Sequence, residues 1–169
     1  MSIFIPHEYH KSIHDIDLLK LYENGKRLIL TDLDNTLVSY AEPIPTEEIR
    51  AFKKKCDEIG LTLVIISNNN EKRVKRFADE LGVPYLAKAL KPLKRGYRKL
   101  TLGYSNDEVA IIGDQVLTDI VGGKRMGFYT ILVDVIDYKT ESWKTRFNRF
   151  FERLIIKKYN IKGDKHGRT

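Results

Sequence analysis

At 169 residues, with 42% hydrophobic and 31% charged residues and a net charge of +7, the chain reads as one soluble globular domain with a tail, which excludes a collagen, a low-complexity array and two ordinary domains. No apolar run approaches the roughly 20 residues that span a bilayer, and the N-terminus lacks the basic segment and apolar core of a secretory signal, so a cytoplasmic location is expected. Cys56 is the only cysteine, which excludes an internal disulfide and a cysteine metal cluster; its place among apolar helix positions predicts a buried, inert thiol.

In chain order, His7, His10 and His14 approximate one helical face, too little to predict a metal site. Apolar runs then alternate with amphipathic stretches. Strands are predicted at Arg27 to Leu33, Leu61 to Ile66, Tyr85 to Ala87, Val109 to Gly113 and Tyr129 to Val133, each short and rich in Ile, Leu or Val. Helices are predicted between them. Thr46 to Ile59 starts on a capping threonine and keeps Ile49, Phe52, Cys56 and Ile59 at helical spacing; Glu71 to Leu81 does the same with Val74, Phe77, Ala78 and Leu81 before Gly82. Two more follow, Pro92 to Leu102 and Leu117 to Met126. The alternation predicts a doubly wound, Rossmann-like α/β domain with a parallel sheet of about five strands, in which ligands sit at the carboxyl ends of the strands.

The polar clusters fall at those ends. Asp32 and Asp34 leave the first strand separated only by Leu33, and two anions on neighbouring same-side positions need a compensating charge. Asp also forms turns and caps helices, so DLDNT alone does not decide between structure and chemistry. It is not a calcium loop, because Leu37 stands where the sixth-position glycine belongs. The second strand ends in Ser67-Asn68-Asn69-Asn70, suited to phosphoryl oxygens at a helix start or to plain capping. Lys91 precedes Pro92 at a strand-to-helix junction, a better phosphate ligand than a solvated lysine and preferred here over Lys94. The fourth strand ends in Gly113-Asp114 with Asp119 following. Two or three carboxylates from different strand ends suit magnesium, a hard cation that takes oxygen ligands and keeps several waters; it would bridge the first-strand acids and Asp114, with Asp119 supporting.

Asp-x-Asp, Ser, Lys and Gly-Asp-x-x-x-x-Asp on four successive strand ends resemble the haloacid dehalogenase superfamily from about Leu28 to Val133. Within it, DLDNTLV, SNN, the Lys-Pro pair, GDQVLTDIVGGKRMGFYTILV and the approach IPHEYHKSIHDID resemble subfamily IIIA. They are most similar to the YqeG family, itself similar to mitochondrial and plastid phosphatidylglycerophosphate phosphatases. The resemblance implies Asp32 as nucleophile and Asp34 as general acid/base, acting through an aspartyl-phosphate. It also implies Ser67, Asn68 and Lys91 as phosphate ligands, and magnesium on Asp32, Asp114 and the backbone carbonyl of Asp34, with Asp119 nearby. In this pattern transport ATPases carry Thr two places after the nucleophile and phosphatases carry Asp, so Asp34 implies phosphomonoester hydrolysis. No P-loop is present, which disfavours ATP or GTP as energy source.

The spacings from Asp32 to Ser67 and from Ser67 to Lys91 leave no room for a cap domain, so an open site is expected, with the loop Val38 to Pro45 and its Tyr40 as a flap. The chain divides into a phosphatase domain over 1–138 and a basic helix and tail over 139–169. That tail holds ten Lys and Arg against three acids and so carries the whole net charge. Trp143, Phe147, Phe150, Phe151, Leu154 and Ile155 form a helical stripe that either packs on the domain or lies in an anionic membrane interface, peripheral to its inner face. Aromatics at that spacing suit packing better than base stacking, and no nucleic-acid motif is present. Phosphatidylglycerophosphate is the implied substrate. A soluble sugar-phosphate or nucleotide phosphatase is the second reading, and a protein that binds membrane, ribosome or another protein through its tail is the third.

Overall fold

The computed structural model describes residues 2–139 and 143–161, with no side chain described over 143–148. Twelve principal elements follow in chain order: β1 (Glu8–His10), α1 (Leu18–Glu23), β2 (Leu28–Thr31), α2 (Glu47–Ile59), β3 (Thr62–Ile66), α3 (Glu71–Leu81), β4 (Tyr85–Leu86), α4 (Lys94–Leu100), β5 (Val109–Gly113), α5 (Val121–Met126), β6 (Tyr129–Val133) and α6 (Trp143–Tyr159). The sheet is parallel throughout, in the order β1-β6-β5-β2-β3-β4. From β2 the chain winds outward through β3 and β4, then returns to the other side of β2 with β5. The reversal opens a crevice between the carboxyl ends of β2 and β5.

Alternation along the strands decides what each face buries. Ile29, Ile65, Ile112 and Ile131 turn to one side, where α1, α2 and α3 supply Leu18, Phe52, Phe77 and Leu81. Leu28, Leu30, Val64 and Ile111 turn to the other, against Tyr97 of α4 and Phe128. Both faces are covered, which is why these strands read as continuous apolar runs. The helices start and stop where expected: Thr46 and Asn70 accept the N–H of Ile49 and Arg73, and Gly60 and Gly82 close α2 and α3 at φ +96° and +72°.

Four features differ from the sequence reading, the first being α1, a short helix that the sequence did not predict. The sheet gains a sixth strand, β1, paired with β6 over Glu8 to His10; three residues without an apolar run carry no periodicity. That strand also breaks the helical face supposed for His7, His10 and His14: His7 stacks on Tyr129, and His10 pairs with Glu8 at 2.7 Å. Finally, α5 is preceded by a wider turn at Val116–Ile120, which brings Asp119 back under Gly113. A methyl on Gly113 would collide with the Asp119 carboxyl, so this position admits only glycine.

Candidate active site

Register brings the polar strand ends level. Thr31 of β2 lies opposite Ile65 of β3 and Ile112 of β5, so the next residues, Asp32, Ile66 and Gly113, are in line, with Ser67 and Asp114 one step on. Asp32 is fixed at the rim by its N–H, which donates to the Ile112 carbonyl at 3.0 Å. Beyond it the chain folds back tightly. Asn35 takes φ +64°, a left-handed conformation that asparagine tolerates, and its N–H reaches the Val38 carbonyl at 2.7 Å.

Asp32, Asp114 and Asp119 are buried together, each offering a carboxylate oxygen within 4.8 Å of the others. The ammonium of Lys91 enters from the β4–α4 connection, 2.9 Å from Asp32 Oδ1 and 2.6 Å from Asp119 Oδ1. Burial alone would discharge this lysine, but the two carboxylates more than offset it and hold the ammonium protonated far above ordinary pH. Burial pushes Asp114 and Asp119 upward, against the pull of Arg149 on the first and Lys91 on the second. The oxygen-only donor set and the crowding of three carboxylates fit a hard divalent cation, with Asp32, Asp114 and Asp119 as the groups able to hold it.

Asp34 has a different environment. Its carboxylate leaves the cluster to accept from Arg73 Nε and Nη2 at 3.2 and 3.0 Å and from Asn69 Nδ2 at 2.8 Å. Burial and the charge of Asp32 still raise its pKa over the opposing pull of these donors. Two carboxyls two residues apart are thereby separated in character: one faces an ammonium within an acid cluster, the other is tied to Arg73 and Asn69 with its pKa raised by burial.

Ser67 is buried at the end of β3, its hydroxyl oxygen accepting the Asn69 N–H at 3.1 Å. The Asn68 side chain is occupied elsewhere. Its Oδ1 accepts the Lys91 N–H at 2.7 Å and its Nδ2 donates to the Lys91 carbonyl at 3.0 Å. This two-point clamp holds its side-chain amide against the backbone of the buried lysine. Lys91, rather than Lys94, reaches the carboxylates.

Several participants escaped the sequence reading. Thr36 donates its hydroxyl to Asp114 Oδ1 at 3.0 Å, four residues after Asp32. Arg73 looked like one more charge on α3, with no local signal. The largest omission is on α6, where Arg149 is buried: its Nη1 donates to the Asp114 carbonyl at 2.7 Å and to Glu152 Oε2 at 3.0 Å, and its Nη2 pairs with the Asp114 carboxylate. Glu152 in turn accepts the Leu117 N–H at 3.2 Å. The inward face of α6 is thus Arg149 and Glu152, followed by Ile155 and Ile156 against Val116, Ile120 and Leu132. Of the aromatic stripe, Ile155 packs inward, Phe150, Phe151 and Leu154 stand exposed, and the side chains of Trp143 and Phe147 lie outside the described residues.

A parallel sheet with an acid cluster at its switch point, and with no cap domain among the described residues, is the fold of solved haloacid dehalogenase-type hydrolases, and the family match makes the chain a phosphatase. The chain belongs to the family described as Mitochondrial PGP phosphatase, PGP being phosphatidylglycerophosphate, whose pattern it matches over residues 1–136. It is 40% identical to "Probable phosphatase YqeG" of Bacillus subtilis over 96% of this chain and 95% of that one. It is 26% identical to the chloroplastic/mitochondrial phosphatidylglycerophosphate phosphatase 1 of Arabidopsis thaliana, covering 94% of this chain and 49% of that protein. Among solved structures, a subfamily III A haloacid dehalogenase hydrolase of Legionella pneumophila superposes with a TM-score of 0.50 at 18% identity, covering 85% of this chain and 88% of the other.

Proposed function

We propose that the protein is a magnesium-dependent phosphatidylglycerophosphate phosphatase working through an aspartyl-phosphate. The observation that carries this reading is the division of labour between Asp32, facing Lys91 at 2.9 Å, and Asp34, turned onto Arg73 with its pKa raised. Asp32 is the nucleophile. Its carboxylate oxygen forms a bond to phosphorus as the bond from phosphorus to the substrate oxygen breaks, and Asp34 delivers its proton to that departing oxygen. Asp34, now ionised, takes a proton from the water that attacks the acyl phosphate, which releases inorganic phosphate and restores Asp32.

Lys91 and Ser67 bind the phosphoryl oxygens, with Asn68 fixing Lys91 from behind. Asp32, Asp114 and the carbonyl of Asp34, with Asp119 supporting, would hold magnesium, whose positive charge would allow an anionic nucleophile to meet an anionic ester. The family match and the plant relative supply the lipid substrate in this reading, and the open rim leaves room for a phosphate that its lipid presents at a surface. No helix among the described residues is long and apolar enough to cross a membrane. In this reading the protein meets its substrate peripherally, through its C-terminal helix, from the cytoplasmic side.

The test is phosphate release from phosphatidylglycerophosphate in mixed micelles, with magnesium or with chelator, beside glycerol 3-phosphate and a small aryl phosphate. Magnesium-dependent turnover favouring the lipid is expected. Hydrolysis of the soluble esters alone would keep the chemistry and discard the lipid.

A further inference from the structure

Among the described residues, twelve large apolar or aromatic side chains are exposed, and nine of them lie on segments leaving the carboxyl ends of the strands or on α6 beside them. Scattered exposed apolar groups are ordinary, whereas their concentration at one end marks a contact surface.

Two clusters carry most of it. In the β4–α4 connection, Leu90 is 64% exposed at φ +57°, between buried Ala89 and buried Lys91, and Leu93 is exposed three residues on. A left-handed backbone is costly for a bulky side chain, and an exposed leucine gains no burial in return. On α6, Arg149, Glu152, Ile155 and Ile156 take the inward face, which leaves Phe150 61% and Leu154 53% exposed with Phe151 between them.

Within each of these two segments the exposed charges have one sign, whereas the loops of Tyr40 and Ile136 at the same end carry exposed Glu42 and Asp134. No acid occurs from Tyr85 to Asn106, where Lys88 and Arg95 are exposed. The only acid of α6 is Glu152, buried on Arg149, while Arg153, Lys157 and Lys158 face solvent. Apolar groups interleaved with cations, and no exposed acid in either cluster, complement an anionic bilayer: the side chains enter the boundary between headgroups and acyl chains as the cations meet phosphates. A second copy of this chain would instead bring cations against cations.

We propose that the carboxyl end of the sheet rests on an anionic lipid surface, through Leu90 and Leu93 on one segment and the outer face of α6 on the other, so that the site opens toward the headgroups. This deepens the phosphatidylglycerophosphate reading, on which it rests, by assigning where protein and lipid meet.

The experiment is sedimentation of the full chain with vesicles of phosphatidylcholine, with and without phosphatidylglycerol, for the wild type and for two variants. One variant is Leu90→Ser with Leu93→Ser; the other is Phe150→Ser with Phe151→Ser and Leu154→Ser. The wild type is expected to bind the anionic vesicles and to weaken with salt, and each variant to bind about tenfold less, with unchanged melting temperature and aryl phosphate hydrolysis. A wild type that ignores anionic vesicles, or variants that bind as it does, would overturn the proposal. So would a dimer in light scattering that the α6 variant dissociates while vesicle binding persists. Turnover of the lipid in detergent micelles without vesicle binding defeats the surface and leaves the substrate reading standing; vesicle binding without lipid turnover does the opposite.

Discussion

At the scale of single residues, the two carboxyls of DLDNT are told apart by what each faces. Asp32→Asn removes the proposed nucleophile and is expected to lower phosphate release by about a thousandfold or more while the fold survives, checked by steady-state kinetics beside a thermal melt. Asp34→Asn should discriminate between substrates. An alkyl ester needs a proton on its leaving oxygen and an activated aryl ester needs it far less, so the formation of the phospho-enzyme should fall steeply for glycerol 3-phosphate and little for the aryl phosphate, as read in single-turnover experiments. Burial pushes the Cys56 thiol up to about 12, so it should resist alkylation near neutral pH until the chain unfolds, which a mass spectrum after timed labelling would show.

Among the elements, α6 contributes a buried ion cluster rather than the apolar stripe that its sequence advertises. Arg149→Ala would leave Glu152 and Asp114 buried without their guanidinium, a loss of about 3 kcal/mol. Chemical denaturation in chelator should show it, and magnesium should recover part by taking up the charge of Asp114. Five of the six strands and the helices α2 to α6 were legible in the sequence because apolar periodicity reports burial, and the acid and serine positions because they follow those runs directly; β1 and the short α1 carry too little periodicity to show. Arg149 was not. Helical spacing in the tail shows that a stripe exists but not which side the domain covers, and a domain offering a buried aspartate attracts the arginine face. Arg73 was hidden for a similar reason: its partner Asp34 lies 39 positions away, and only the fold sets them together.

For the molecule as a whole, the acid cluster links metal, protons and stability. The aspartate value of 3.8 is raised for Asp114 and Asp119 in the folded chain, so in the metal-free protein the native state holds more protons than the unfolded one. Their contribution to stability is complete below that value and is lost as pH rises through the folded values, so melts in chelator should weaken from about pH 4 toward neutrality. Magnesium, if it fills the proposed site, is expected to reverse the trend. At about a hundred times its dissociation constant it adds ~2.7 kcal/mol, or on the order of 5–10 °C for a chain of this size, and an unchanged melt would remove the ion from this site. The topology carries a further consequence, for the order in which the molecule is made. β1, synthesised first, pairs only with β6, and the side chains of Phe4 and Tyr9 share a cluster with Ile155 and Ile156 near the far end of the chain. On the ribosome the central strands can assemble as they emerge, but the opening strand must wait for the last one, and Arg149 reaches Asp114 only after both. A nascent chain would therefore carry every aspartate of the site before it carried the arginine that closes it.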